Sequence, residues 1–230
     1  SCPESGDTVL TDLREIGPTF FVAPPRIFEN LLSAVALRME NTGRMKRVLY
    51  EYFMGVARRV GGAILDGRPV PFIERVCYLV GDLLIYAPLR NALGFGRVRL
   101  GYVVGEAIGP DIFAFYRALG LNLKQLYGMT EASGCISMQP DGQVRAGTVG
   151  VPAPDVEVKI ATDGEVLVKS PGVFLGYHKD AGATAAARTA DGWLRTGDTG
   201  FFGPDGQLRI VDRARDLGRL TNGAMFAPKY

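Results

Sequence analysis

Histidine, cysteine and unbalanced charge are all scarce in this sequence, and each scarcity removes a class of chemistry. Among 230 residues there is one histidine, His178. That argues against a multi-histidine metal centre and against a Ser-His-Asp hydrolase; in its Gly/Tyr loop His178 reads as a solvated residue. The three cysteines, Cys2, Cys77 and Cys135, are odd in number and show no CxxC spacing. A disulfide framework or a zinc site is therefore not expected, and a reducing compartment fits best. Net charge is only +2, from 26 basic and 24 acidic residues, too balanced to call for a nucleic-acid partner. No long apolar run is present either. Val76–Leu89 is the longest stretch, and Asp82 and Pro88 interrupt it, so it is too short to span a bilayer. The opening SCPESGDTVL has no basic-then-apolar leader. The expected location is cytoplasmic.

What is abundant is apolar content, 47%, and glycine, 30 residues, which together describe a loop-rich globular chain with a real core. Residues 7–14 read as a short helix, and PTFFVAPP (Pro18–Pro25) as an extended segment. A helix is expected to start at Pro25, since proline suits a first helical turn. Residues 41–95 read as helical, with Val48, Leu49, Tyr52, Phe53, Val56 and Val60 on one side of an amphipathic helix. Arginines at both ends of that helix raise the expectation of a peripheral membrane contact.

The pattern then changes. RVRLGYVVG (Arg97–Gly105) predicts a strand, and PDIFAFYRALG (Pro110–Gly120) a short helix with Ile112, Phe115, Tyr116 and Leu119 on one face. LNLKQLYG predicts a second strand, completing a βαβ unit with parallel pairing. Ligands of such sheets gather beyond the carboxyl ends of the strands, here the loops Val104–Ala107 and Tyr127–Glu131, which are expected to converge on one crevice. From about residue 143 the sequence is all-β, with hairpins through Asp163-Gly164 and Asp205-Gly206. The fold expected is α/β: a partial parallel-sheet layer over 1–142 with a helical insertion at about 38–95. A small antiparallel β-barrel over 143–212 follows, and 213–230 form a hinge.

Three segments carry polar groups suited to a charged ligand. In QLYGMTE, Tyr127 offers a stacking face, Gly128 a close backbone approach, Thr130 a hydroxyl for a phosphate oxygen and Glu131 a hard ligand for Mg²⁺. In DGWLRTGD, Asp198 follows a Thr-Gly turn, where a carboxylate could accept the hydroxyls of a ribose. Arg213, in VDRARDLGRLTNG, offers a fork for ribose or phosphate oxygens. Taken singly, each also reads as a strand end or hairpin turn with surface charges.

Taken in order, QLYGMTE, GEVLVKSPGVFLGY, DGWLRTGD and GQLRIVDRARDLGRLTNGAMFAPKY resemble the adenylate-forming synthetases, over about residues 95–230. PTFFVAPPRIFENL, with the helical stretch after it, resembles more weakly the long-chain fatty acyl-CoA synthetase branch. The resemblance implies ATP, Mg²⁺ and coenzyme A as cofactors, a fatty acid as substrate, and an acyl-AMP intermediate. It implies that Gly105, Glu106 and Ala107 edge the adenine pocket, although many relatives have Gly-Gly-Ala there. By the same likeness Tyr127 and Gly128 flank the base, Met129 the acyl-adenylate, and Thr130 the α-phosphate. Glu131 would bind Mg²⁺, Asp198 the ribose hydroxyls, and Arg213 the ribose or phosphate. Asp216 falls at the family's hinge and Gly223 in the loop near its thioester site. Neither a phosphate loop ending in Pro-Lys-Gly nor the adenylation lysine is found, so the chain reads as an interior segment, inactive alone and prone to self-association. An acyl-AMP ligase for another carboxylate, or a non-catalytic nucleotide-binding module, remain the alternative readings.

Overall fold

A computed structural model describes residues 8–213 together with 218–219 and 225–226. The chain divides into two compact units, one built from residues up to Lys124 with Asp141–Ala146, the other from Gln125–Pro140 with the chain from Gly147 onward.

The first unit is mainly helical. Helix α1 (Val9–Ile16) leads into strand β1 (Phe20–Ala23), and α2 (Pro25–Glu40) starts as expected, with Pro25 in its first turn. Helix α3 (Arg44–Leu65) and α4 (Phe72–Gly81) follow. A π-helical turn (Asp82–Tyr86) and the short α5 (Ala87–Ala92) complete the helical stretch. Strand β2 (Leu100–Val103) pairs in parallel with β1, Phe20 opposite Leu100 through Ala23 opposite Val103. Helix α6 (Pro110–Ala118) covers the unit and returns the chain to β3 (Leu123–Tyr127). The segment entering β3 adjoins β2, where the Gly101 N–H donates to the Asn122 carbonyl at 3.0 Å.

Aromatic packing gives this unit its core. Phe28, Phe95 and Tyr116 are fully or almost fully buried, with ring centroids 5.2 Å apart for Phe28–Tyr116 and 5.9 Å for Phe95–Tyr116. Each ring removes a large apolar area from water, and edge-to-face geometry adds to that gain. Three tyrosine hydroxyls then tie the elements together by donating to backbone carbonyls: Tyr116 to Phe28 at 2.6 Å, Tyr86 to Phe53 at 2.6 Å, and Tyr78 to Ala118 at 3.0 Å. Burial pushes all three phenols up, those of Tyr78 and Tyr86 to about 12. Helices α3 and α6 meet so closely at Gly61 that a Cβ there would lie 2.5 Å from the Ala118 carbonyl oxygen. Only glycine fits.

The expected apolar side of α3 is buried only in part. Phe53, Val56 and Val60 are inside, whereas Val48 and Tyr52 are 64% and 59% exposed. Periodicity correctly groups the residues on one face, but the buried positions of α3 begin at Phe53, where Gly81 and Tyr86 pack on the helix. Helix α6 differs in the other direction. Phe113 is buried together with Phe115 and Tyr116, because core lies on more than one of its sides. Arg117 is buried as well, paired to Asp66 at 2.6 Å and donating to the Leu123 carbonyl at 2.9 Å. No helix among the described residues is long and apolar enough to cross a membrane.

The second unit is antiparallel. Past β3 lie a 3₁₀ turn (Thr130–Ala132) and the short strands β4 (Ser137–Met138) and β5 (Val151–Pro152), paired antiparallel to β3 and to each other in turn. Strands β6 (Glu157–Ile160), β7 (Glu165–Lys169), β8 (Leu194–Phe202) and β9 (Leu208–Arg213) form a four-stranded antiparallel sheet in that order. Its first and last hairpins turn through Asp163-Gly164 and Asp205-Gly206, as predicted. A helix, α7 (Ala181–Ala186), lies between β7 and β8, and β10 (Gly218–Arg219) pairs with β11 (Met225–Phe226). Strand β7 does not alternate between buried and exposed residues: Glu165, Val166, Leu167 and Val168 are all buried. It is an inner strand paired on both edges, by β6 and β8; Val166 and Val168 enter the core cluster, and Glu165 is closed in by Arg195 and the Gly197 N–H.

Candidate functional site

The candidate site of the second unit is built from three pieces of backbone, of which the first two carry predicted nucleotide residues. The first is the end of β3 with the turn that follows. Strand β3 closes with Tyr127, half-buried against Ala132, Ile136 and the β7–β8 valines and leucine. At Gly128 the chain runs so close to its own return that a Cβ would collide with the backbone of Gly134 and Cys135. A glycine is thus required at this position by the chain itself. Met129 packs on the same core, its extended backbone leading into the turn that carries an exposed Thr130 and a half-buried Glu131. The turn is closed by the Gly134 N–H donating to the Met129 carbonyl at 2.9 Å.

The second piece is the Thr196-Gly197-Asp198 segment of β8. Here the Tyr127 hydroxyl donates to Asp198 Oδ2 at 2.6 Å, across 71 residues of sequence. Burial, and then the adjacent Asp198 carboxylate, push the Tyr127 phenol well above its usual value, so it is a fixed donor at any ordinary pH. An ionised carboxylate has about four acceptor sites, and among the described side chains Tyr127 takes one of them. The segment is braced from below. Thr196 Oγ1 donates to the Val166 carbonyl at 2.8 Å and accepts the Asp198 N–H at 3.1 Å. Glu165 accepts from the Gly197 N–H at 3.1 Å and pairs with Arg195 at 2.7 Å. Glu165 is a buried carboxylate on an inner strand that sequence reasoning did not single out. Its only signal is a charge inside an otherwise apolar EVLV run.

The third piece is the loop after β7. Glu131 Oε1 accepts from the Tyr177 hydroxyl at 2.7 Å, while its backbone carbonyl accepts from the Phe174 N–H at 2.8 Å. Ser133 Oγ donates to the Gly172 carbonyl at 2.7 Å. The loop is therefore strapped to the Thr130–Ala132 turn at three points. Sequence reasoning missed Tyr177 too, since a Gly-Tyr pair reads locally as a turn.

Of the remaining predicted residues, Gly105, Glu106 and Ala107 follow β2 in the first unit, with Glu106 exposed. Arg213 ends β9, its backbone opposite Asp198 in the β8–β9 register, but its side chain lies outside the described residues, as do Asp216 and Gly223. His178 is exposed in its loop.

Among the described residues no group of three or more His, Cys, Asp or Glu side chains is arranged to hold a metal ion. A magnesium ion carried in with nucleotide needs no such cage. It takes one or two protein carboxylates and completes its shell with phosphate oxygens and water. Glu131 fits that requirement: one carboxylate oxygen is held by Tyr177, and the side chain is only half-buried.

Residues 2–178 match the model of a family described as AMP-binding enzyme. Over 220 residues the chain is 35% identical to the long-chain-fatty-acid–CoA ligase FadD15 of Mycobacterium bovis, covering 96% of this chain and 36% of that protein. It is 32% identical over 237 residues to the peroxisomal long chain acyl-CoA synthetase 7 of Arabidopsis thaliana, covering 96% of this chain and 32% of that protein. Among solved structures, the unliganded O-succinylbenzoate coenzyme A synthetase MenE of Bacillus subtilis superposes with a TM-score of 0.61, covering 98% of this chain and 39% of that one. At 22% identity, that likeness bears on the fold alone. The chain spans about a third of the length of the curated relatives quoted.

Proposed function

From a chain that belongs to the family of AMP-binding enzymes, we propose a part in an ATP-dependent ligase that activates a fatty acid as acyl-AMP and passes the acyl group to coenzyme A. The observation that carries the proposal furthest is the 2.6 Å contact between Tyr127 and Asp198. It joins the two sequence segments that the family likeness assigns to base and ribose. The fatty acid is favoured as substrate because the curated relatives quoted are long-chain ligases.

In this reading, Asp198 accepts the ribose hydroxyls with the lone pairs that Tyr127 leaves free, and the Tyr127 ring borders the base. Thr130, exposed beside Glu131, donates its hydroxyl to an α-phosphate oxygen. In the first half-reaction a substrate carboxylate oxygen attacks the α-phosphorus, the bond to the bridging oxygen breaks, and pyrophosphate leaves. In the second the thiol of coenzyme A attacks the acyl carbonyl, and AMP leaves with the electron pair of the broken acyl–oxygen bond. Magnesium bound through Glu131 would supply charge neutralisation at the phosphates. Donors fixed before the reaction stabilise the charge that develops at phosphorus more than they stabilise bound ATP.

The test is pyrophosphate release by the full-length protein across a panel of carboxylates, with and without coenzyme A. Release that requires a long-chain fatty acid, with acyl-CoA formed only when the thiol is present, is expected. Acyl-AMP as the end product even with coenzyme A would place the protein among ligases that stop at the adenylate. Nucleotide binding without acyl-dependent turnover would overturn the enzymatic reading.

A further inference from the structure

We propose that Tyr177 is a positioning residue for Glu131, holding the carboxylate in the orientation from which it takes the magnesium ion of the bound nucleotide. This rests on the ligase reading above. The two groups are 46 residues apart in sequence, yet the phenol hydroxyl donates to Glu131 Oε1 at 2.7 Å.

The contact is one end of a built arrangement. Glu131 is held at its carbonyl by the Phe174 N–H at 2.8 Å and at its carboxylate by Tyr177, so one short loop grips both ends of the same residue. The rings of Phe174 and Tyr177 meet edge to face, with centroids 4.8 Å apart and planes at 70°. Phe174 is itself fixed, its carbonyl accepting from Arg188 at 2.6 Å. The Tyr177 backbone is anchored from the other side. Its N–H donates to Thr184 Oγ1 at 2.9 Å, and that hydroxyl donates to the Asp180 carbonyl at 2.7 Å. Asp180 caps α7 by accepting from the Ala183 N–H at 2.8 Å.

This much anchoring is unexpected for a side chain left 42% exposed. A tyrosine kept only for packing would turn its ring inward, as Tyr86 and Tyr116 do, both fully buried. Tyr177 instead spends its hydroxyl on a carboxylate at the surface of the candidate site. The hydrogen bond occupies Oε1 and limits rotation of the carboxylate; in this proposal Oε2 is the oxygen offered to the metal. Groups that orient a metal-binding carboxylate in this way commonly change metal affinity when removed, without being ligands themselves.

Tyr177→Phe keeps the ring on Phe174 and removes only the hydroxyl. In the full-length protein, the Mg²⁺ concentration that half-saturates acyl-dependent pyrophosphate release is expected to rise about tenfold. The turnover number at saturating Mg²⁺, the affinity for AMP without metal and the melting temperature should stay close to those of the unsubstituted protein. A second readout needs no turnover: Mn²⁺ binding with a non-hydrolysable ATP analogue, followed by electron paramagnetic resonance, should weaken by a similar factor. Unchanged metal dependence in both readouts overturns the proposal, as does an equal loss at every Mg²⁺ concentration accompanied by a lower melting temperature. If the unsubstituted protein shows no acyl-dependent turnover but Tyr177→Phe still weakens Mn²⁺–nucleotide binding, the ligase reading fails and the role of Tyr177 stands. If neither turnover nor Mn²⁺–nucleotide binding is detected in the unsubstituted protein, both fail.

Discussion

The two units use tyrosine in opposite ways. In the helical unit the hydroxyls of Tyr78, Tyr86 and Tyr116 donate to backbone carbonyls, and all three rings are buried. In the antiparallel unit the hydroxyls of Tyr127 and Tyr177 donate to the carboxylates of Asp198 and Glu131, on side chains that are half-buried or exposed. The difference separates a structural from a functional use of one side chain. A buried phenol must satisfy its hydroxyl, and a backbone carbonyl is the acceptor that leaves no charge inside. A phenol that meets a half-exposed carboxylate loses little if water replaces it, so its value lies in where it holds the charge. Removing hydroxyls from the first set should cost stability, and removing them from the second should cost ligand or metal binding.

The largest effect that sharpens this contrast is expected at a carboxylate. Glu131→Gln should reduce acyl-dependent pyrophosphate release by about 100-fold or more, with much less change in AMP binding without metal. Equal losses in both assays, together with a lower melting temperature, would assign Glu131 to folding. Asp198→Ala should weaken nucleotide binding by roughly 1–3 kcal/mol, because ribose hydroxyls lose their acceptor; calorimetric titration with AMP measures it, and an unchanged affinity removes Asp198 from the site. Tyr116→Phe removes a buried hydrogen bond to the Phe28 carbonyl, which keeps its partner within α2, and should lower stability by about 1 kcal/mol in urea unfolding, with AMP affinity untouched. A loss of AMP affinity there would blur the distinction between the two sets.

The smallest expected effect concerns pH. The Tyr78 and Tyr86 phenols ionise at about 12 in the folded protein, mainly because burial penalises the charged form, against about 10 in an unfolded chain. Between those values the unfolded state loses protons that the native state keeps. Stability is therefore full below about pH 10 and declines as pH rises toward 12. Tyr78→Phe should reduce the alkaline slope of the melting temperature in that window. A slope identical to that of the unsubstituted protein would show that Tyr78 does not contribute.

Much of the frame was legible because it depends on local chemistry. Pro25 opens α2, the Asp-Gly pairs turn both predicted hairpins, and PDIFAFYRALG forms the helix before β3. What was not legible depends on partners distant in sequence. The period of α3 shows which residues share a face, but not that Phe53, Val56 and Val60 are buried while Val48 and Tyr52 on the same side stay exposed. Glu165 looks like an outward strand residue until Arg195 and the Gly197 N–H close around it. Asp198 was singled out as a ribose acceptor from its turn, but its dependence on Tyr127 emerges only when β3 and β8 are brought together. Tyr177 lies in a stretch with no periodicity at all, and only the folded loop shows where its hydroxyl goes.

The most direct measurement is the affinity of the full-length protein for a non-hydrolysable fatty acyl-adenylate mimic, compared with that of Tyr127→Phe. If the Tyr127–Asp198 contact organises the nucleotide site, the mimic binds the unsubstituted protein, and loss of the single hydroxyl weakens binding by about tenfold, with stability changed by less than about 1.5 kcal/mol. Equal affinities for the two proteins, or a loss matched by an equal loss of stability, would contradict the assignment of this contact to the site.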